Sequence, residues 1–295
     1  MKYRPVLEPL GFRRAEPLPS ERELAQYYAE VYFQTVPTST YQLDYSEDEL
    51  AHKRARADLT VHVAKQQLLP AAGKLALLEL GFGEGYELAA ARRAGFDCVG
   101  VDFGLEGLRR CNPQLEDVAR AANPLEALHQ FVVAGRRFHA CVLKNVIEHV
   151  REPASYLRAV RSALNPGGLA IVTLPNDYSD LQLELLRRGD VQEEYWFAPP
   201  QHLQYFNLDN FPAFAGAAGY EVVDLIGDFP IELFLLHPGS NYARDPALGR
   251  PAHKARIATD LLLARGGLQK FADVCRAFAT TGLSRTFTAF CRPVR

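Results

Sequence analysis

The sequence predicts an α/β protein built on a parallel sheet with helices on both faces, and three observations carry that expectation. Between residues 74 and 227 short apolar runs alternate with helical patterns of roughly ten to fifteen residues, the signature of βαβ units. The first run ends in a glycine turn that opens a helix, Glu79-Leu80-Gly81-Phe82-Gly83-Glu84-Gly85. The second run ends in an acid, Asp102, at the rim where such sheets gather their ligand-binding groups.

The elements follow in order. Residues 1–20 hold Pro5, Pro9, Pro17 and Pro19 without helical period and read as an irregular lead-in. Residues 21–33, ERELAQYYAEVYF, repeat apolar groups at helical spacing. A second helix starts at Ser46, where S-E-D-E matches a capping box closed by Glu49, and it ends before Pro70. Its HKRAR stretch fits either a phosphate-binding patch or a solvated face, and the solvated face is the expectation. KLALLEL is the first core strand, EGYELAAARRAG the helix after it, and Gly95 its C-terminal cap. FDCVGVD, RFHACVLKN and LAIVTLPN are further strands. PASYLRAVRSAL is a helix opened by Pro153 and stopped at Pro166-Gly167-Gly168. YEVVDLIG follows Gly219, SRTFTAFCRP closes the pattern, and residues 229–280 between them read as mostly helical. The division is therefore an N-terminal helical lid over 1–70, a core over 71–228, and a helical insertion with a terminal strand over 229–295.

Composition narrows the function. The 295 residues, 48% apolar and 23% charged, make one large domain or two small ones. A net charge of -2 argues against a dedicated nucleic-acid binder, whose affinity needs a basic surface. No apolar run reaches the roughly 18 residues of a membrane span, and the opening residues lack the apolar stretch of a secretory leader. Cys98, Cys111, Cys141, Cys275 and Cys291 are scattered, with no C-x-x-C pair, as expected of buried thiols in a cytoplasmic protein.

The glycine turn is the most informative feature. Glycine lets the chain turn tightly and lets a ligand approach with no Cβ in the way. The helix that follows offers unpaired N–H groups to the ligand's polar end. The spacing G-x-G-x-G differs from the G-x-G-x-x-G of dinucleotide binders. Asp102 is placed to accept hydrogen bonds from both hydroxyls of a ribose. The alternative is a packing turn with Asp102 capping a helix.

On these residues, and on FHACVLKNVIEHVREPASYLRAVRSALNPGGLAIVTLPN over 138–176, the chain resembles class I S-adenosylmethionine-dependent methyltransferases. Glu79 to Gly85 matches the family's E-x-G-x-G-x-G motif and Asp102 its ribose acid, over a resemblance covering about residues 74–227. The resemblance implies a Rossmann-like, doubly wound seven-stranded sheet, mostly parallel, with an antiparallel last strand. It implies S-adenosylmethionine bound over the strands' C-terminal ends by Glu79, Gly81, Phe82, Gly83, Gly85, Asp102 and Phe103. Asn145 is expected beside the methionine end. Where relatives place an Asp for the adenine amino group, this chain offers Asn123, and Leu125 either packs on the adenine or joins the core.

Methyl transfer needs a nucleophile in line with the sulfonium methyl and a base when the nucleophile carries a proton. His149 suits a base near neutrality, with a hydrogen-bonded histidine at a helix start as the equal alternative. His202, in EYWFAPPQHLQYFN, resembles the H-L-x-Y-F segment of the relatives with the E-H-V turn and is expected to face His149. Some relatives bind a divalent metal through E-x-x-E-H and a later histidine. Here Asn145 holds the first position, so no metal is expected, and a Glu148, His149 and His202 site is the alternative. Tyr178 is expected at the pocket rim with a catalytic role, as is Asn145. Tyr27, Tyr28, Tyr32, Tyr41 and Tyr45 either line a lid that attracts the sulfonium or form the apolar face of a packed helix.

The leading expectation is a methyltransferase acting on a hydroxyl or amine of a small polar acceptor, a sugar or specialised metabolite, with His149 or His202 as base. Residues 228–280 are similar to an extension in relatives that serve polysaccharide and secondary-metabolite assembly. The helices there cover the pocket or form a homodimer surface. The second reading is a cyclase that consumes S-adenosylmethionine itself, closing azetidine-2-carboxylate and releasing methylthioadenosine. The third is a non-catalytic cofactor-binding protein.

Overall fold

The computed structural model describes residues 3–20, 22–24, 44–70 and 73–294. Strands β1 (Arg4–Leu7) and β2 (Arg13–Glu16) form an antiparallel hairpin. The lead-in expected to be irregular is therefore ordered. Its strands are four residues long, too short to show alternation, and Pro5 sits on the edge strand, where a missing N–H does no harm. Of the helix expected over 21–33, Arg22–Leu24 is described and helical; Tyr27, Tyr28, Tyr32 and Tyr41 lie outside the described residues.

Helix α1 (Glu47–Gln67) begins at the expected capping box: the Glu49 N–H donates to Ser46 Oγ at 3.3 Å and the Ser46 N–H to Glu49 Oε2 at 2.7 Å. It buries Ala57, Leu59, Val61, Val63 and Ala64 in one core with Leu77 and Phe290. Along its inner face α1 is thus a layer of the core.

The alternating region then runs β3 (Ala76–Leu80), α2 (Tyr86–Arg93), β4 (Asp97–Asp102), α3 (Glu106–Cys111), β5 (Ala119–Ala121), α4 (Pro124–Val133), β6 (Phe138–Lys144), α5 (Pro153–Ser162) and β7 (Leu164–Pro175). After it come α6 (Asp180–Arg188), β8 (Gln204–Tyr205), α7 (Phe211–Ala217), β9 (Tyr220–Gly227), α8 (Gly249–Arg265), α9 (Leu268–Thr280) and β10 (Thr286–Pro293). The large sheet has the order β5-β4-β3-β6-β7-β10-β9, and β10 runs antiparallel to both of its neighbours. β8 joins the hairpin in a separate three-stranded sheet, order β1-β2-β8.

Residues alternate between two cores. Leu78, Leu80, Cys141, Leu143 and Val172 face the side of α4, α5 and α7. Leu77, Ala140, Val142 and Ile171 face the side of α1, α2 and α9. Burial on both faces is why these strands read as continuous apolar runs.

Two consequences place the site. Strand order reverses between β3 and β6, and ligands bind outside the C-terminal ends of the strands at such a switch point. Because β10 is antiparallel, Thr286 pairs with Pro175, so the start of the last strand lies on that same rim.

Candidate active site

A cavity of about 1300 Å³ opens at the switch point. Its floor is the turn between β3 and α2. Gly81, Gly83 and Gly85 have φ of 76°, 54° and 77°, the left-handed region that side chains avoid. A Cβ on Gly81 would stand 2.8 Å from Val146 Cγ2, so the close approach of the two loops also requires glycine.

Asp102 ends β4 and fixes this turn. Its Oδ2 accepts from the Gly83 N–H at 2.7 Å and its Oδ1 from the Phe103 N–H at 2.6 Å. Burial pushes its carboxyl above the usual range, and the backbone donors pull the other way. A carboxylate has about four lone-pair positions, so this capping leaves capacity for ribose hydroxyls. Glu79 lies buried at the end of β3 with Oε2 unpartnered among the described residues, and burial, then the neighbouring Glu87, raises its pKa well above the ordinary value. Glu87 is itself paired with Lys144 from the end of β6. Above the turn, Lys53 of α1 reaches Glu84 Oε2 at 2.9 Å, and Tyr45 donates to Glu84 Oε1 at 2.7 Å.

Phe82, Phe103, Asn123, Leu125 and Asn145 border the cavity with Glu79, the three glycines and Asp102, so one space gathers the whole set of residues assigned to the cofactor from sequence. Phe103 and Leu125 present 66% and 43% of their surface, apolar groups left uncovered beside the cavity. Asn123 Oδ1 already accepts from the N–H groups of Leu125 and Glu126 as the cap of α4, so that oxygen serves the helix first. Asn145 has φ 52°, a left-handed turn that ends β6. Tyr178, by contrast, does not border this cavity. It is buried, its hydroxyl donates to Glu194 at 2.6 Å, and its ring packs on Trp196 and Tyr205 beneath Arg13.

The opposite wall brings together the turn after β6 and the segment before β8. The Leu203 N–H donates to the Glu148 carbonyl at 2.8 Å, which holds the two in register. His149 and His202 stack edge to face, centroids 4.9 Å apart. His149 Nδ1 lies 2.6 Å from the Gln201 carbonyl; a carbonyl only accepts, so Nδ1 carries the proton and Nε2 keeps its lone pair. Burial lowers the pKa of His149 to about 4 and, with His149's charge adding, that of His202 to about 3. Both imidazoles are therefore neutral at pH 7. Glu148 is 1% exposed with both carboxylate oxygens unpartnered among the described residues, and burial raises its pKa well above the ordinary range. Ligand atoms of Glu148, His149 and His202 lie within 4.8 Å of one another. A buried carboxylate without donors and two neutral imidazoles, one oriented through its far N–H by a carbonyl, form a donor set that fits a divalent cation.

Sequence reasoning did not assign Lys53, Lys144, Trp196 or Arg285, which also border the cavity. Lys144 is recoverable from position, as the last residue of a core strand. Arg285 reaches the rim only because β10 is antiparallel.

Residues 47–225 match the family model described as Methyltransferase domain. Similar curated proteins include the ubiquinone biosynthesis O-methyltransferase of Psychrobacter arcticus, 29% identical over 167 residues, covering 51% of this chain and 61% of the relative. The protein of the same name from Cereibacter sphaeroides is 31% identical over 136 residues, covering 46% and 52%. The aligned part therefore spans between about half and three fifths of those relatives. Among solved structures, an S-adenosylmethionine-dependent methyltransferase from Archaeoglobus fulgidus superposes with TM-score 0.49 at 12% identity, covering 81% of this chain and 93% of that one.

Proposed function

The chain belongs to the methyltransferase-domain family matched over residues 47–225, and from that membership we propose that it is an S-adenosylmethionine-dependent O-methyltransferase acting on a small hydroxylated acceptor. The observation that carries this reading is the two-walled cavity. One wall is the glycine turn with Asp102, and the other is Glu148 with the histidine pair.

The residues fit the cofactor. Three left-handed glycines leave its approach clear of Cβ atoms, Asp102 keeps lone-pair capacity for ribose hydroxyls beside its two backbone donors, and Phe103 and Leu125 have uncovered apolar surface that would suit the adenine. Once bound, S-adenosylmethionine supplies an electrophilic methyl group on sulfur. The protein's share is to align the acceptor oxygen, to keep out water and to take the hydroxyl proton. His149 Nε2 is the proton acceptor, because its lone pair is free and its ring is neutral and held by Gln201. Alternatively, Glu148, His149 and His202 would hold a divalent cation; the His149 Nε2 lone pair would then be committed to the ion, and the cation in place of the base would lower the pKa of a bound hydroxyl. The names of the similar curated proteins favour oxygen over nitrogen as the methylated atom.

The test is calorimetric titration with S-adenosylhomocysteine. The wild type binds, and Asp102→Ala binds at least about tenfold more weakly, a loss of roughly 1.4 kcal/mol or more. Equal affinities would show that the glycine turn is not the cofactor site.

A further inference from the structure

Arg285 precedes β10 and borders the cavity on the side of His202, whose pKa its charge helps to depress. It is held by two carboxylates. Nη1 donates to Asp177 Oδ1 at 2.8 Å and Nε lies 3.4 Å from Glu232 Oε1. Asp177 and Glu232 are 1% and 0% exposed. Gln182 Nε2 donates to Glu232 Oε1 at 2.9 Å, and the Tyr195 hydroxyl donates to the same oxygen. The guanidinium plane is thereby fixed from two sides. Its Nη2 makes no hydrogen bond among the described residues, although the side chain keeps 23% of its surface.

A rigid guanidinium with one edge committed and another open is a recognition device, since the fork offers donors in fixed directions. The charges around it decide what it recognises. One guanidinium already faces two buried carboxylates, so an incoming carboxylate or phosphate would find the positive charge cancelled and a negative excess behind it. An ammonium group has no lone pair for Nη2. A neutral carbonyl, ether or hydroxyl oxygen satisfies the open N–H without adding charge.

We propose that Arg285 is an acceptor-binding residue, and that the acceptor carries a neutral hydrogen-bond-accepting oxygen that docks on Nη2, apart from the hydroxyl that is methylated. Asp177 and Glu232 act as positioning residues that aim the guanidinium and exclude anionic acceptors. The inference rests on the O-methyl transfer proposed above and deepens it by naming the acceptor class.

The experiment is calorimetry on the full chain loaded with S-adenosylhomocysteine, using four catechol probes. These are protocatechualdehyde with a neutral carbonyl, protocatechuate with a carboxylate, dopamine with an ammonium, and catechol with no substituent. The aldehyde should bind about tenfold tighter than each of the others, the value of one hydrogen bond inside a cavity. Arg285→Lys keeps a cation between Asp177 and Glu232 but loses the planar fork. It should bring the aldehyde down to the level of catechol while leaving S-adenosylhomocysteine affinity unchanged. The probe series needs no variant, so it decides even where Arg285→Lys fails to fold. Equal binding of the four probes, no binding of any, or tightest binding of protocatechuate or dopamine overturns the inference, as does a folded Arg285→Lys that keeps the aldehyde preference. Failure of S-adenosylhomocysteine itself to bind overturns the proposed function instead.

Discussion

Replacing His149 by glutamine should flatten part of the protein's acid instability. His149 has an ordinary pKa of 6.5, and burial lowers it to about 4 in the folded protein. Below 6.5 the unfolded chain takes up a proton that the folded chain refuses. The stability tied to the neutral ring is therefore complete above pH 6.5 and is lost as pH falls toward 4. Between pH 7 and pH 5 that loss amounts to about 2 kcal/mol. The side chain keeps 17% of its surface, so solvent screening does little to shrink it. Glutamine retains an N–H for the Gln201 carbonyl, which takes the 2.6 Å hydrogen bond of Nδ1 in the wild type. Urea unfolding of both proteins at pH 5 and pH 7, with EDTA present, gives the comparison. Asp177, whose pKa is raised, is common to both proteins and drops out of the difference, while His202 loses the part of its lowering that His149 causes, which acts in the same direction. The wild type's advantage over His149→Gln should shrink by about 2 kcal/mol on acidification. Parallel pH profiles for the two proteins would refute the burial argument for this ring.

Three further outcomes follow from the geometry. Gly81→Ala forces a φ of 76° on an L residue and sets its Cβ 2.8 Å from Val146, so chemical denaturation should show a loss of about 1–2 kcal/mol or more, and an unchanged midpoint would mean the turn relaxes freely. Ser46→Ala removes the cap of α1 and should cost about 1 kcal/mol, read as a lower melting temperature with cofactor affinity intact; loss of affinity instead would show that the cap is coupled to the glycine turn through Tyr45 and Lys53. Methyl transfer should be indifferent to EDTA, as a free His149 Nε2 lone pair requires; a rate that falls with EDTA and returns with a divalent cation would assign Glu148, His149 and His202 to holding a metal instead.

The sheet was legible because parallel strands buried on both faces leave uninterrupted apolar runs, and because glycine at Gly81, Gly83 and Gly85 answers a backbone need that few other residues meet. His149 and His202, 53 positions apart, were paired from their motifs, and their rings lie 4.9 Å apart. What escaped depends on tertiary placement. β5 is three residues long and has no periodicity to read. The hairpin of β1 and β2 draws its third strand, β8, from nearly two hundred residues away. Lys53 sits in a run that resembles any solvated helix face until α1 is laid over the glycine turn. Tyr178 lies behind the cavity wall and not at its rim, because its ring packs on Trp196, which borders the cavity, and on Tyr205, a placement that depends on tertiary packing.

The central claim is that the cavity transfers a methyl group to a separate acceptor. The direct measurement incubates the protein with S-adenosylmethionine, with and without catechol, and identifies the nucleoside product by mass spectrometry. The account predicts S-adenosylhomocysteine and methylated catechol in equal amounts, and neither without the acceptor. Methylthioadenosine accumulating from S-adenosylmethionine alone would contradict it.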